Sequence, residues 1–330
     1  MNQMTRASAS DTLPVHADIL AAAARIAPHA HVTPVLRSRS LDALAGCELH
    51  FKAEHLQRTG AFKFRGACNA VFSLDDGCAR RGVVTHSSGN HGAALALAAQ
   101  LRGIACHVVV PEGAVATKLA AIAAYGAVLH RCAATIDARE AKCAAVAAAT
   151  GAELVHPYTD ARVIAGQGTA ALELLSGPLA FDAMVVPVGG GGLASGTAIA
   201  VRERSPATRL FLAEPSGAAE THASLLRGER VTDFVPDTIC DGLRGTLGAP
   251  NFALLREHAP QVLTVDDRAT IAAMRLLWQR TKQLVEPSSA IALAAVLADP
   301  ARFAGQRVGI ILSGGNVDPD ALSDLFALAR

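Results

Sequence analysis

Along almost the whole chain, short runs of apolar, often β-branched residues alternate with longer alanine-rich stretches. GVVTHS precedes HGAALALAAQLRG, ACHVVVP precedes ATKLAAIAAYG, and AVLHRC precedes DAREAKCAAVAAATG. Further on, FDAMVVPVG leads into LASGTAIAVRER, and RVGIILSGG into PDALSDLFALAR. The short runs predict strands and the long ones helices. Their alternation predicts an α/β protein whose parallel sheets are covered on both faces. Residues 82–151 read as one compact βαβαβα unit, expected to form a smaller lobe inserted into a larger domain made of 1–81 and 152–330. Parallel sheets bind ligands beyond the carboxyl ends of their strands, which places the expected chemistry in the strand-to-helix turns.

Three of those turns stand out. Ser87–Gly92 (SSGNHG) follows the strand at Val83–Val84, Gly189–Gly192 follows MVVPV, and Ser313–Asn316 (SGGN) follows VGIIL. Gly189, Gly190, Gly191 and Gly192 let backbone N–H groups wrap a phosphate, and a helix start there adds favourable potential. Gly189, Gly191 and Ala194 also satisfy G-x-G-x-x-A. Glu214 ends RLFLAE about twenty residues on, where a ribose-binding acid would sit. Spacing alone therefore leaves a nicotinamide-dependent (NAD) oxidoreductase open.

TGAFKFRGA, Thr59 to Ala67, changes the balance. It sets Lys63 beside Phe62, between two glycines, at the start of the helix-like run FKFRGACNAVFSL. Amide N–H groups and the positive end of a helix lower the proton affinity of a lysine in that place. Such an amine is a Schiff-base nucleophile toward a carbonyl cofactor; a solvated first-turn lysine is the plainer alternative. An oxidoreductase has no use for Lys63 or for SSGNHG. Pyridoxal phosphate needs these parts together: an amine for its aldehyde, a cradle for its phosphate, and partners for its ring oxygen and nitrogen.

Composition narrows the field further. The chain has 330 residues, 51% hydrophobic and 18% charged, with a formal net charge of +1. That length suits two domains, or one large body with an inserted lobe. Near-neutral charge argues against nucleic acid or an acidic membrane surface as partner. No apolar run reaches membrane-spanning length, and Met1–Thr12 is polar rather than a signal peptide. The short stretch after Asn316 is expected to leave no room for an appended regulatory domain. Seven cysteines, an odd count without a CxxC pair or zinc spacing, fit a reduced cytoplasmic protein. Cys68 falls near Lys63 but reads as a packed core thiol.

GAFKFRGA, SSGNHG, VPVGGGGL, AEP, DGL, VEPSSA and SGGNVD occur here in the order found in fold-type II pyridoxal-phosphate enzymes. Between Thr33 and Asp318 the chain resembles that family, and within it the serine racemase and serine/threonine/3-hydroxyaspartate dehydratase (ammonia-lyase) group. The resemblance implies a tryptophan-synthase-β-like fold: two three-layer parallel-sheet domains with the active site in the cleft between them. It implies Lys63 as the cofactor-linked lysine, with Phe62 against the cofactor and Asn90 on the ring hydroxyl. Gly189 to Leu193 would bind the phosphate, and Ser313 would face the pyridine nitrogen. A neutral hydroxyl there weakens the electron sink, which suits α,β-elimination and proton exchange better than transamination. Ser87, Ser88, Asn90 and His91 resemble the loop that grips the substrate α-carboxylate.

Ser88 matches a residue that, in the racemase, carries a second proton opposite the lysine; as a loop serine it would only bind carboxylate. Arg139 matches an arginine able to pair with a distal carboxylate, as in 3-hydroxyaspartate. The alternative is an exposed helix arginine paired with a neighbouring acid. Glu214, Ala218 and Glu220 resemble a divalent-cation site of oxygen ligands suited to magnesium, calcium or manganese. Helix-start acids are the other reading of that trio. Glu220 stands where the racemase has aspartate, Gly245 and Thr246 where it has serines, and Tyr158 where it has asparagine.

The function expected is deamination of serine, threonine or 3-hydroxyaspartate to a 2-oxo acid and ammonia, with racemisation of serine as a possible side activity. A primary racemase is the alternative, and a member that only binds an amino acid a third. The partner expected is that small amino acid, and a homodimer is implied by the resemblance alone.

Overall fold

A computed structural model of the chain describes residues 13–328, so the polar segment 1–12 lies outside it. Ten strands are present among the described residues. In chain order they are β1 (Val35–Leu36), β2 (Glu48–Lys52), β3 (Val83–His86), β4 (Cys106–Pro111), β5 (Val128–Cys132), β6 (Glu153–Leu154), β7 (Ala183–Pro187), β8 (Arg209–Pro215), β9 (Gln261–Val265) and β10 (Arg307–Ile311). They form a six-stranded sheet of order β1-β2-β10-β7-β8-β9 and a four-stranded sheet of order β5-β4-β3-β6.

Every pairing is parallel except β1 with β2, where Val35 lies opposite Lys52. β7 (AMVVP) is buried at all five positions, as a central strand covered on both faces must be. β5 (VLHRC), at the edge of the smaller sheet, has no fully buried position. Each strand-like run singled out in the sequence is one of these strands, and each alanine-rich stretch holds a helix. One apolar cluster, built on Phe51, Val185, Phe211, Val265 and the helix Pro287–Ala298, covers one face of the large sheet. A second, built on Ile164, Met184, Leu212 and the helix Gly192–Arg204, covers the other.

The helix Lys63–Phe72 belongs to a third cluster, with Val83, Val108 and Ala94 of the smaller sheet and its covering helix. Its first turn nevertheless stays tied to the large sheet, because Phe62 N–H donates to the Ser313 carbonyl at 3.0 Å and Ala61 bridges Gly314. Lys63 therefore emerges where the two sheets meet, beyond the carboxyl ends of β3, β7 and β10. All seven cysteines are free, and five of them (Cys47, Cys68, Cys106, Cys143, Cys240) are buried. No helix among the described residues is long and apolar enough to cross a membrane.

Candidate active site

Lys63 is the first residue of its helix and points into the cleft between the sheets, where its Nζ donates to the Pro157 carbonyl at 2.9 Å. The Phe62 ring lies beside it, 5.2 Å from the amine. Part of Lys63 opens on the cleft, but dense protein encloses the rest. That burial lowers the amine's pKa to about 8, against the opposing pull of Glu286. The sequence pointed to a lowered value through the helix start; the structure supplies desolvation as its cause. Around the amine stand His86, His91 and His156, all held below the usual imidazole range by burial first. His156 falls to about 3. The His86 and His156 rings beside Lys63 are thus neutral.

Across the cleft, Gly189–Gly192 form the turn between β7 and the helix Gly192–Arg204. A Cβ on Gly190 would sit 2.5 Å from the Tyr158 ring, and one on Gly189 would sit 2.9 Å from the Leu243 Cα. Gly191 caps the helix at φ +93°, a conformation L side chains rarely adopt. These crowded glycines leave bare N–H groups at a helix start, the arrangement that accepts a phosphate. Leu193 follows in the first turn, buried. Tyr158, where the sequence showed a departure, packs its ring on this loop and meets His156 edge-on at 4.6 Å. Gly245 lies next to both, 3.7 Å from the Gly190 nitrogen in the same sense.

The SSGNHG turn supplies the third wall. A Cβ on Gly92 would overlap the Ser87 carbonyl, and the Ser87 hydroxyl accepts the Gly89 N–H at 3.3 Å. Asn90 opens the helix Asn90–Arg102, whose first-turn N–H groups form an anion-binding end. Its amide donates to Glu286 at 2.9 Å, and its oxygen accepts from Asn316 at 2.8 Å. The His91 side chain is placed otherwise than the sequence suggested. It is buried, faces the Val155 carbonyl at 3.4 Å, and leaves only its backbone at the turn. Ser313 is buried at the end of β10, tied to the Lys63 segment through Phe62.

Glu286 stands in VEPSSA, where the sequence alone assigns it no role. Burial, then the nearby Asp241, raises its carboxyl to about 7. The one available signal was an acid directly before a proline that opens an apolar helix. Asp241 also pairs with Lys118, an ion pair that spans the cleft from the smaller sheet's side.

Arg139, on the helix Ile136–Thr150, makes no ion pair among the described residues, and its Nε is buried without a partner. It acts on His86 as a nearby positive charge. Its Nη2 donates to the Ala134 carbonyl at 3.2 Å, so a backbone carbonyl rather than an acid is its partner. Cys68 is fully buried, its thiol pushed up to about 12.

Glu214 does not face a ribose position. Its two oxygens accept the Thr221 and His222 N–H groups at 2.7 and 2.9 Å. Burial raises Glu214 to about 7, and burial with the charge of Glu214 raises Glu220 to about 8. Glu220 Oε2 is buried without a partner, and Ala218 is buried in the turn between the two acids. No group of three or more His, Cys, Asp or Glu side chains converges among the described residues. Two crowded carboxylates with an unpaired oxygen and a nearby carbonyl nonetheless fit a hard divalent cation that completes its shell with water.

Native carboxyls with raised pKa hold protons that the unfolded chain gives up near pH 4.5. Their contribution to stability is present below that point and lost as pH rises through 7 to 8. The gain in melting temperature on adding magnesium is therefore expected to grow between pH 5 and 8, as Glu214 and Glu220 give up their protons. Thermal melts in chelator and in magnesium check this; equal slopes would remove the cation from Glu214 and Glu220.

Comparison with known proteins shows the family. The family model for pyridoxal-phosphate dependent enzymes matches residues 26–314. A serine racemase of Dictyostelium discoideum is 47% identical over 94% of this chain and 97% of its own. A beta-hydroxyaspartate dehydratase of Paracoccus denitrificans is 46% identical over 94% of this chain and 98% of its own. The structure of maize serine racemase superposes with a TM-score of 0.92 at 44% identity, covering 95% of this chain and 97% of that one.

Proposed function

The chain belongs to the pyridoxal-phosphate-dependent enzymes, and from that premise we propose that it eliminates the β-hydroxyl of a small hydroxy-amino acid, giving a 2-oxo acid and ammonia. The observation that carries the reading is Lys63. Its amine loses its proton near pH 8 at the floor of a cleft whose opposite wall is a Cβ-free cradle. Phe62, Lys63, Asn90, Gly189 to Leu193 and Ser313 would hold the cofactor. When bound, pyridoxal phosphate supplies the electron sink that makes the substrate Cα–H acidic.

The side chains around it do the rest. Lys63, unprotonated above about pH 8, takes the Cα proton as general base. The N–H groups at the start of Asn90–Arg102, with Ser87 and Ser88, hold the α-carboxylate. Glu286 and Asn316 fix the Asn90 amide. The Arg139 guanidinium, whose Nε has no partner, meets a second carboxylate, which favours 3-hydroxyaspartate among the substrates. The serine racemase and dehydratase names of the relatives support elimination with proton exchange as a second activity, carried by Ser88. Residues 82–151 are taken as the inserted lobe and the Glu214 site as the seat of a magnesium-like cation. The homodimer remains part of the reading through the family resemblance, and the cytoplasmic location through the unpaired cysteines.

Release of 2-oxo acid from L-serine, L-threonine and L-threo-3-hydroxyaspartate, with and without chelator, tests the proposal; no release from any of them sinks it. In the same assay R139M is expected to lower kcat/KM for hydroxyaspartate roughly 10- to 100-fold, the worth of a charge-assisted pair, with serine affected far less. An equal loss on both substrates would remove Arg139 as the reader. S88A is expected to stop conversion of L-serine to D-serine while 2-oxo acid release continues. Unchanged racemisation would leave Ser88 as a carboxylate ligand only.

A further inference from the structure

Two residues after Lys63, the same helix buries an arginine completely. Arg65 Nε and Nη2 donate to the two oxygens of Glu54 at 2.6 and 2.8 Å, and Nη1 and Nη2 to those of Glu173 at 2.6 and 2.9 Å. Nη1 also reaches the Thr169 hydroxyl at 3.3 Å and Nη2 the His31 carbonyl at 3.4 Å. Lys52 completes the set, donating to Glu173 at 2.5 Å and to the Thr33 carbonyl at 2.7 Å, while the Thr33 hydroxyl donates to Glu54 at 2.5 Å. Two cations thus face two anions, and the guanidinium is forked on both sides. The partners come from β2, from the short helical turn Glu54–Leu56, and from the helix Ala161–Leu175.

Stability alone does not require such a cluster, since a well-packed apolar replacement of a buried ion network is often as stable. Geometry gives it a different use. Residues two apart on a helix project about 200° from one another, so Lys63 enters the cleft while Arg65 points away from it. Gly66 and Gly166 already fix the distance between their helices: a Cβ on Gly166 would lie 2.6 Å from the Gly66 Cα. A close glycine crossing sets separation but lets a helix roll. The double fork on Arg65 opposes that roll, and any roll would swing the Lys63 amine across the cleft.

We propose that Arg65, held by Glu54, Glu173 and Lys52, is a positioning residue that sets the rotation of the Lys63 helix and so the aim of the reacting amine. The proposal rests on Lys63 being that amine. Its test is the holoenzyme carrying K52M/E54Q/R65M/E173Q, which removes all four charges together and leaves no ion unpaired. The expected result is a folded protein whose kcat falls at least tenfold with KM within twofold, and whose cofactor absorption titrates at a shifted pH. R65K, which keeps the charge but not the fork, is expected to lie between this variant and wild type, and is read alone if the fourfold variant does not fold. A folded variant with wild-type kcat, pH midpoint and absorption overturns the proposal. The parent reading fails separately, if K63A keeps cofactor absorption and turnover.

Discussion

Replacing Lys63 by alanine is expected to abolish both turnover and the visible absorption that marks a lysine-bound cofactor. On the proposed function the side chain would serve twice, as the amine that anchors the cofactor's carbonyl carbon and as the base that takes the Cα proton. Loss of a positioned general base alone removes about 10²- to 10⁴-fold in rate. Nothing nearby replaces it, because burial holds His86, His91 and His156 below the ordinary imidazole range and turns His91 toward the Val155 carbonyl. Glu286 is held by Asn90 and cannot form the covalent link. Absorbance spectra and a 2-oxo-acid assay on the purified variant check both halves, and retention of the band would remove the centre of the functional reading.

The second large effect is expected at Gly191. Alanine there meets φ +93°, a strain of about 1–3 kcal/mol for an L residue. Its Cβ would also stand 2.6 Å from Leu247 Cδ1 and 2.7 Å from the Asn251 Cβ. Asn251 in turn donates to the Tyr158 carbonyl at 3.0 Å and to the Ser195 hydroxyl at 3.2 Å. A push on Asn251 therefore moves the ring that lies on Gly190, and the cradle loses its shape. Cofactor affinity is expected to weaken roughly 10- to 100-fold, the loss of about 1.4 to 2.8 kcal/mol of phosphate binding as the cradle's N–H groups move, at tenfold per 1.4 kcal/mol. Gly228→Ala is the control: its φ is +75°, yet nothing lies within 4 Å of the added carbon. It should cost stability without changing affinity. Titration of cofactor-free protein with pyridoxal phosphate measures both, and equal affinities would move the phosphate site elsewhere.

The regular elements were legible because buried parallel strands leave uninterrupted apolar runs, and β7 and β10 are of that kind. The two-residue β1 leaves no such trace, and its antiparallel edge pairing depends on a partner strand. The site was legible where one short stretch carries the geometry, as at Lys63 and Gly189–Gly192. Where geometry depends on distant stretches, the sequence was mute. Glu54, Glu173 and Lys52 are far apart along the chain, and nothing in FKFRGA tells a buried arginine from one on a solvated face. Glu286 looked like an ordinary helix-start acid because its partner, Asn90, lies 196 residues away. His91 sits in a loop motif, but its ring turns into the core.

The five buried, unpaired cysteines have a practical meaning. Burial pushes Cys47 and Cys143 up to about 11, and Cys68 and Cys106 to about 12, while Cys240 is raised further. Thiolate, the form that attacks electrophiles and oxidants, is nearly absent from such sites at neutral pH. The folded protein is therefore chemically quiet at these sulfurs, and exposure of each one to a labelling reagent reports local opening. Cys68 lies on the Lys63 helix and Cys106 starts β4, so the labelling clock of each would time the loosening of a different wall of the cleft.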